Sequence, residues 1–282
     1  MKQLSSTSKT LDDVYQFWND HPLFAGESEH EPGSKAWFQE HERVYINDCF
    51  AGHQPDPIFT NGLTHESRIL DVGCGPGFWV RYFLRSGFKH VSACDLTPKA
   101  IEMTNKSLEL FGLRADVQIG NAEQLPYEDS TFDHINCQGV IHHTPHPEQC
   151  IKEFYRVLKP GGTLCFSVYH KNFLLRHPRI LKFFSRIFAR SIKLKGRGRE
   201  ALLTSGEPNE IVRMYDGQDN PIGKAYTLGA LQAMVKDFFE IEEVGLFYFP
   251  ARSLPVRIPR FLHQWLHKNL GLMIIIRGRK AQ

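Results

Sequence analysis

Apolar and polar positions along the middle of this chain follow two rhythms that alternate. Short apolar runs at Ser67–Val72, His90–Cys94, Ala115–Ile119, Phe132–Cys137 and Thr163–Val168 predict β-strands. Between them, apolar residues recurring every three or four positions predict helices at Phe78–Ser86, Pro98–Phe111 and Pro147–Leu158. Thr97 stands as N-cap of the second helix and Gly112 as its stop, while Pro160-Gly161-Gly162 closes the third. Strands and helices at this spacing specify a doubly wound α/β fold with a mostly parallel sheet covered on both faces.

After Val168 the alternation breaks for about 55 residues, which include a polar, Gly-rich stretch from Tyr215 to Lys224. It resumes with a helix at Leu228–Lys236 capped by Thr227, then a strand at Glu240–Phe249. A helical segment around Arg260–Asn269 and a strand at Leu272–Arg277 follow. Leu11 to about Cys49 reads as two helices laid outside the sheet, carrying Phe17, Trp18, Trp37 and Phe38. These aromatics either line an apolar pocket or pack against the sheet. The expected organisation is therefore a helical cap over 1–62, a core over 63–168, a basic helical insertion over 169–225 and completion of the core over 226–282.

Composition narrows the class. The 282 residues hold 34 Lys+Arg against 31 Asp+Glu and are 41% hydrophobic, which excludes collagen-like, disordered and disulfide-stapled chains. No apolar run approaches the roughly 20 residues that cross a bilayer, and the N-terminal stretch lacks a signal-peptide core, which points to the cytoplasm. Cys49, Cys74, Cys94, Cys137, Cys150 and Cys165 show no C-x-x-C spacing, so buried free thiols are expected rather than a metal site.

The charge is unevenly spread. His170 to Arg199 carries ten Lys+Arg and no acid, leaving 24 basic against 31 acidic residues elsewhere. Within it Leu174, Leu175, Ile180, Leu181, Phe183, Phe184, Ile187, Phe188 and Ile192 recur at helical spacing between the cations. The segment reads as a peripheral contact with an anionic membrane, as a nucleic-acid contact, or as an amphipathic lid. Nucleic acid ranks last, because the remaining body is acidic.

The strongest local signal is Asp71-Val72-Gly73-Cys74-Gly75-Pro76-Gly77, a buried strand running into a glycine-rich turn and a helix. Twenty residues past Gly75, Asp95 ends the next strand, where a carboxylate accepts hydrogen bonds from ribose hydroxyls. The string is D-x-G-x-G-x-G, and Phe78 stands where a dinucleotide fingerprint has its third glycine. Asp71 would repel a pyrophosphate and suits a ligand bearing an ammonium group. These details disfavour a nicotinamide-dependent oxidoreductase.

With these motifs the chain resembles class I S-adenosylmethionine-dependent methyltransferases, of the broad group similar to ubiquinone/menaquinone C-methyltransferases. Asn121-Ala122-Glu123-Gln124-Leu125-Pro126-Tyr127, Phe132-Asp133 and Val157-Leu158-Lys159-Pro160-Gly161-Gly162 resemble the family's later motifs, in order. The resemblance implies a Rossmann-like, seven-stranded sheet and S-adenosyl-L-methionine as methyl donor, with S-adenosyl-L-homocysteine as product. It implies that Asp71 and the backbone of Gly73, Cys74, Gly75 and Gly77 hold the methionine end of the donor. Asp95 would take the ribose, Leu96 the adenine face, and Asn121 and Ala122 the adenine edge, with Gln138 near the methionine moiety. Asn121 stands where the family more often has Asp, so it accepts without charge assistance.

His142 and His143 follow the fourth strand and are expected beside the methyl donor, where an imidazole accepts a proton. The acceptor is expected to be a small apolar or lipid-like molecule held by residues outside the shared core. A polar metabolite, sugar or RNA acceptor, and a SAM-binding subunit without turnover, stay open as alternatives. So does the oligomeric state.

Overall fold

The central strands of the sheet send alternate side chains to opposite faces, and both faces are buried there. In β1 (Arg68–Val72) Ile69 enters one buried cluster while Leu70 and Val72 enter another. In β8 (Met273–Arg279) Met273 and Ile275 face the first cluster and Ile274 and Ile276 the second. Period-two burial on both faces is what a sheet sandwiched between helices requires.

The computed structural model describes residues 9–24, 26–177, 206–249, 251, 254 and 256–282. Between β1 and β8 come β2 (His90–Asp95), β3 (Asp116–Ile119), β4 (Phe132–Gln138), β5 (Leu158–His170), β6 (Ala225–Tyr226) and β7 (Glu240–Phe247). The order across the sheet is β3-β2-β1-β4-β5-β8-β7, and β6 pairs with the end of β5. All pairings are parallel except those of β8, which runs against both β5 and β7. The path of seven strands agrees with expectation; the two-residue β6 is an addition that periodicity does not reveal.

Among the described residues the α-helices are α1 (Leu11–Asp20), α2 (Lys35–Phe50), α3 (Phe78–Arg85), α4 (Pro98–Leu110), α5 (Pro147–Val157), α6 (Phe173–Arg176), α7 (Pro208–Asp216), α8 (Leu228–Val235) and α9 (Arg260–Leu270). Thr10, Ser34, Thr97 and Thr227 cap α1, α2, α4 and α8 by accepting from backbone N–H groups of the first turn. The chain passes from α5 straight into β5, which bulges at Lys159–Gly162. Leu158 pairs with Phe132, and Thr163 with His134. The expected turn is thus a bulge inside the strand.

Of the aromatics singled out in the first two helices, Phe17, Trp37 and Phe38 are buried packing residues, whereas Trp18 borders cavities. Trp37, Phe38, Phe24 and Met103 form a separate cluster joining α2 to α4. All six cysteines are buried free thiols. The basic segment begins with α6, and the expected amphipathic helix beyond His177 lies outside the described residues. Among the described residues no helix is long and apolar enough to cross a membrane.

Candidate functional site

The strand order reverses direction between β1 and β4, and the carboxyl ends of β1, β2 and β4 meet beside that point. The turn after β1 holds three left-handed residues, Gly73 (φ 73°), Gly75 (φ 50°) and Gly77 (φ 78°). A Cβ on Gly73 would stand 2.3 Å from Cγ2 of Val140, so this glycine lets the loop after β4 lie flush on the turn. A Cβ on Gly75 would meet nothing within 4 Å, and there the backbone opens onto a cavity. Gly73→Ala is therefore expected to destabilise the fold by about 2–4 kcal/mol, combining left-handed strain with overlap. Gly75→Ala should cost only about 1 kcal/mol, the strain alone. Thermal unfolding of the two variants compares them directly, and equal losses would contradict this reading.

Asp95 fixes the same turn from β2. Its Oδ2 accepts from the Gly75 N–H at 3.1 Å, and its Oδ1 accepts from the N–H and hydroxyl of Thr97 at 3.0 and 3.1 Å. Burial pushes its carboxyl above the usual range, opposed by these donors. Leu96, Asn121 and Ala122 join Asp95, Gly73 and Gly75 on the cavity wall. The side-chain oxygen of Asn121 accepts from the Glu123 N–H at 2.9 Å, closing its own turn.

Asp71 sits beneath the turn, 1% exposed, and does not reach the cavity wall. Its Oδ1 accepts from Nδ2 of Asn136 at 2.7 Å, and Oδ1 of Asn136 accepts from Nε2 of Gln138 at 2.9 Å. Gln138 Nε2 also donates to the Cys165 carbonyl at 2.9 Å. A flipped amide would set oxygen against oxygen at both contacts, so the chain of amides fixes which way Gln138 is turned. Its Oε1 is buried without a hydrogen-bond partner, and Gln138 borders the cavity. Asp71 thus reaches the cavity at one remove. Burial pushes its carboxyl up to about 7, with Asn136 pulling the other way. Cys74 and Gly77 also stand behind the wall. The Cys74 thiol accepts from the Thr104 hydroxyl at 3.5 Å, and a Cβ on Gly77 would lie 3.1 Å from Oγ1 of Thr104.

A second cavity adjoins the first, and Trp18, Leu23, Gln138, Gly139 and His143 border both. Its far walls carry four tyrosines, Tyr45, Tyr169, Tyr215 and Tyr248. Burial holds the Tyr45 and Tyr248 hydroxyls well above the ordinary phenol range, so both stay neutral. His143 Nδ1 donates to the Ile222 carbonyl at 2.7 Å, and its Nε2 faces Oδ2 of Asp216 at 3.3 Å. Tyr169 donates to the same Asp216 oxygen at 2.7 Å. His142 is 1% exposed, packs on Tyr169 with ring centroids 4.4 Å apart, and leaves Nδ1 buried without a partner. Burial and the neighbouring His143 hold its imidazole well below the usual range.

The structure brings Gly73, Gly75, Asp95, Leu96, Asn121, Ala122, Gln138 and His143 to one cavity, and both histidines to the other. Sequence reasoning passed over Asn136, the link between Asp71 and Gln138, although its strand position two before Gln138 puts it on the same face. It also passed over Asp216 at the end of α7, a helix hidden in a polar stretch. Phe78, where a dinucleotide site has glycine, is buried against Tyr45 with centroids 4.2 Å apart. Among the described residues no cluster of His, Cys, Asp or Glu could hold a metal ion.

Comparison with known proteins bears on this pair of cavities. The family described as a methyltransferase domain matches residues 70–166. A ubiquinone biosynthesis O-methyltransferase of Dechloromonas aromatica is 30% identical over 175 residues, covering 57% of this chain and 72% of the relative. A demethylmenaquinone methyltransferase of Bacillus cytotoxicus is 27% identical over 176 residues, covering 58% of this chain and 74% of the relative. Among solved structures, a SAM-dependent methyltransferase of Methanosarcina mazei shares the fold with a TM-score of 0.56 at 23% identity, covering 81% of this chain and 99% of that one.

Proposed function

This chain belongs to the class I S-adenosylmethionine-dependent methyltransferases, and from that premise we propose that it methylates a small aromatic, lipid-like acceptor held in the second cavity. The observation that supports this most directly is the shared wall. Gln138, Gly139 and His143 border the cavity under the glycine turn and the tyrosine-lined cavity alike, so reactants in the two are neighbours. Relatives named for quinone precursors favour a phenolic acceptor of that class.

The residues present fit the methyl donor. Gln138 borders the cavity and its Oε1 is an unpartnered acceptor suited to an ammonium group, and Asp71, through Asn136, fixes its orientation. Gly73 and Gly75 leave backbone uncovered, and Asp95 presents a carboxylate to hydroxyls of a ribose. S-adenosylmethionine, when bound, supplies an activated sulfonium methyl group.

What the protein adds is placement, because holding two reactants in line replaces a bimolecular encounter. The His143–Asp216 pair, with Nε2 and Oδ2 3.3 Å apart, would take up the phenolic proton of an acceptor in the second cavity. Asp216, held by Tyr169, faces the charged ring that results. His142, kept neutral by burial, is a wall and not a base.

Calorimetric titration with S-adenosylhomocysteine, S-adenosylmethionine and NAD tests the donor assignment. Micromolar binding of the first two and none of NAD is the expected outcome. Transfer of labelled methyl to demethylated hydroquinones and catechols then tests the acceptor. Failure of both sulfur nucleotides to bind would remove the whole reading. Binding with methylation of polar acceptors alone would remove only its second half.

A further inference from the structure

α9 is amphipathic in an unusual sense, since its outward face is not simply polar. Leu262, His263, Leu266 and Leu270 turn inward, and His263 Nε2 bonds the Phe249 carbonyl at 2.8 Å. The opposite face holds Phe261 and Trp265, one helical turn apart, at 74% and 57% exposure. Val256, just before the helix, is 64% exposed. Arg257, Arg260 and Lys268 are exposed in the same stretch, Lys268 on the helix face of Phe261 and Trp265. Among the described residues none of the three cations makes an ion pair. No Asp or Glu occurs anywhere after Glu243, while residues 244–282 contain seven Lys+Arg.

We propose that this face, Val256 to Lys268, docks the protein on an anionic lipid surface. A bulky apolar residue at such exposure loses free energy in water, and two aromatics on one helix face, with Val256 just before the helix, mark an interaction site. Trp and Phe rimmed by cations, with no acid, are the side chains of an interfacial helix: the rings enter the headgroup boundary and the cations meet lipid phosphates. A second copy of this chain suits the patch less well, because pairing it with itself would bring like cations together.

The place of the face gives it a use. α9 packs on β7, and Phe247 of β7 both contacts His267, with ring centroids 6.5 Å apart, and lines the tyrosine-walled cavity. A membrane under α9 therefore lies beside the acceptor cavity. That use rests on the function proposed above; the docking itself does not.

Trp265 also supplies the probe, since Trp37 and Trp79 are buried and Trp18 is half-buried. The protein is mixed with vesicles of phosphatidylcholine alone or with phosphatidylglycerol added, at low salt. Co-sedimentation and tryptophan emission are then followed, with W265F as the spectral control. The expected result is binding to the anionic vesicles, with a blue shift that W265F lacks. F261S/W265S is expected to bind them about tenfold or more weakly, while retaining its S-adenosylhomocysteine affinity. Equal vesicle binding by F261S/W265S, no binding by the unmodified protein, or a dimer whose formation alone shifts the emission would each overturn the proposal. Binding to RNA in preference to vesicles would do the same. Because nucleotide affinity is read separately, loss of docking and loss of the methyltransferase reading are told apart.

Discussion

Asp95→Ala is expected to abolish S-adenosylhomocysteine binding at concentrations that saturate the unmodified protein. The carboxylate performs two tasks at once. Toward the protein, one oxygen anchors the Gly75 N–H and the other anchors Thr97, the N-cap of α4. Toward the cavity, Oδ2 retains a lone pair for a ribose hydroxyl, since Oδ1 already accepts twice from Thr97. One charge-assisted hydrogen bond at about 1.5–3 kcal/mol corresponds to roughly a ten- to hundredfold loss. Slackening of the glycine turn adds to it. Asp95→Asn preserves the shape but puts a donor at one of the two positions, so its loss should be intermediate. Calorimetry with each variant, alongside circular dichroism to confirm folding, checks the order. Wild-type affinity in Asp95→Ala would mean that the ribose is bound elsewhere. Because burial raises this carboxyl, the affinity should also begin to fall on acidification at a higher pH than for an exposed aspartate.

His143→Gln is expected to lower kcat by about 10²–10⁴-fold, the usual worth of a positioned proton acceptor, with KM for the acceptor little changed. Gln can still donate to the Ile222 carbonyl, so the loop should keep its shape while the acceptor nitrogen disappears. His142→Gln addresses the neighbouring ring. That ring is buried and uncharged, so the substitution should lower the melting temperature more than the rate. A single-turnover assay at saturating acceptor separates the two variants. Unchanged kcat in His143→Gln would mean that the acceptor arrives already deprotonated or needs no base.

The residues that border the first cavity were legible because they lie in a few short stretches. Asp71 to Gly77, Asp95 and the Asn121 turn each carry their meaning in neighbouring residues, and the parallel sheet brings their strand ends together without further instruction. What the motif could not convey was depth. Asp71 reads as a ligand-facing acid, yet it lies below the wall, hydrogen-bonded to Asn136 and through it to Gln138, a chain that exists only once β1 and β4 pair in register. The acceptor half was largely illegible for a different reason. Its walls come from α1, α2, α7, β5 and β7, and no local pattern joins Tyr45 to Tyr248 or His143 to Asp216. The helix that delivers Asp216 begins with Pro208 and is mostly polar, with Ile211, Val212 and Met214 buried only by tertiary contact.

The position of α1 bears on the tempo of the enzyme. Leu11, Val14 and Trp18 stand over the nucleotide cavity, and Trp18 also reaches the second cavity and packs on His143, with ring centroids 5.1 Å apart. One helix is thus a common door to two rooms. A donor exchanging past this helix would have to displace Trp18, and a molecule held against Trp18 in the second cavity would hinder that. Product would then leave in a fixed sequence, methylated acceptor before thioether. Egress, rather than the methyl shift, would set the steady-state rate.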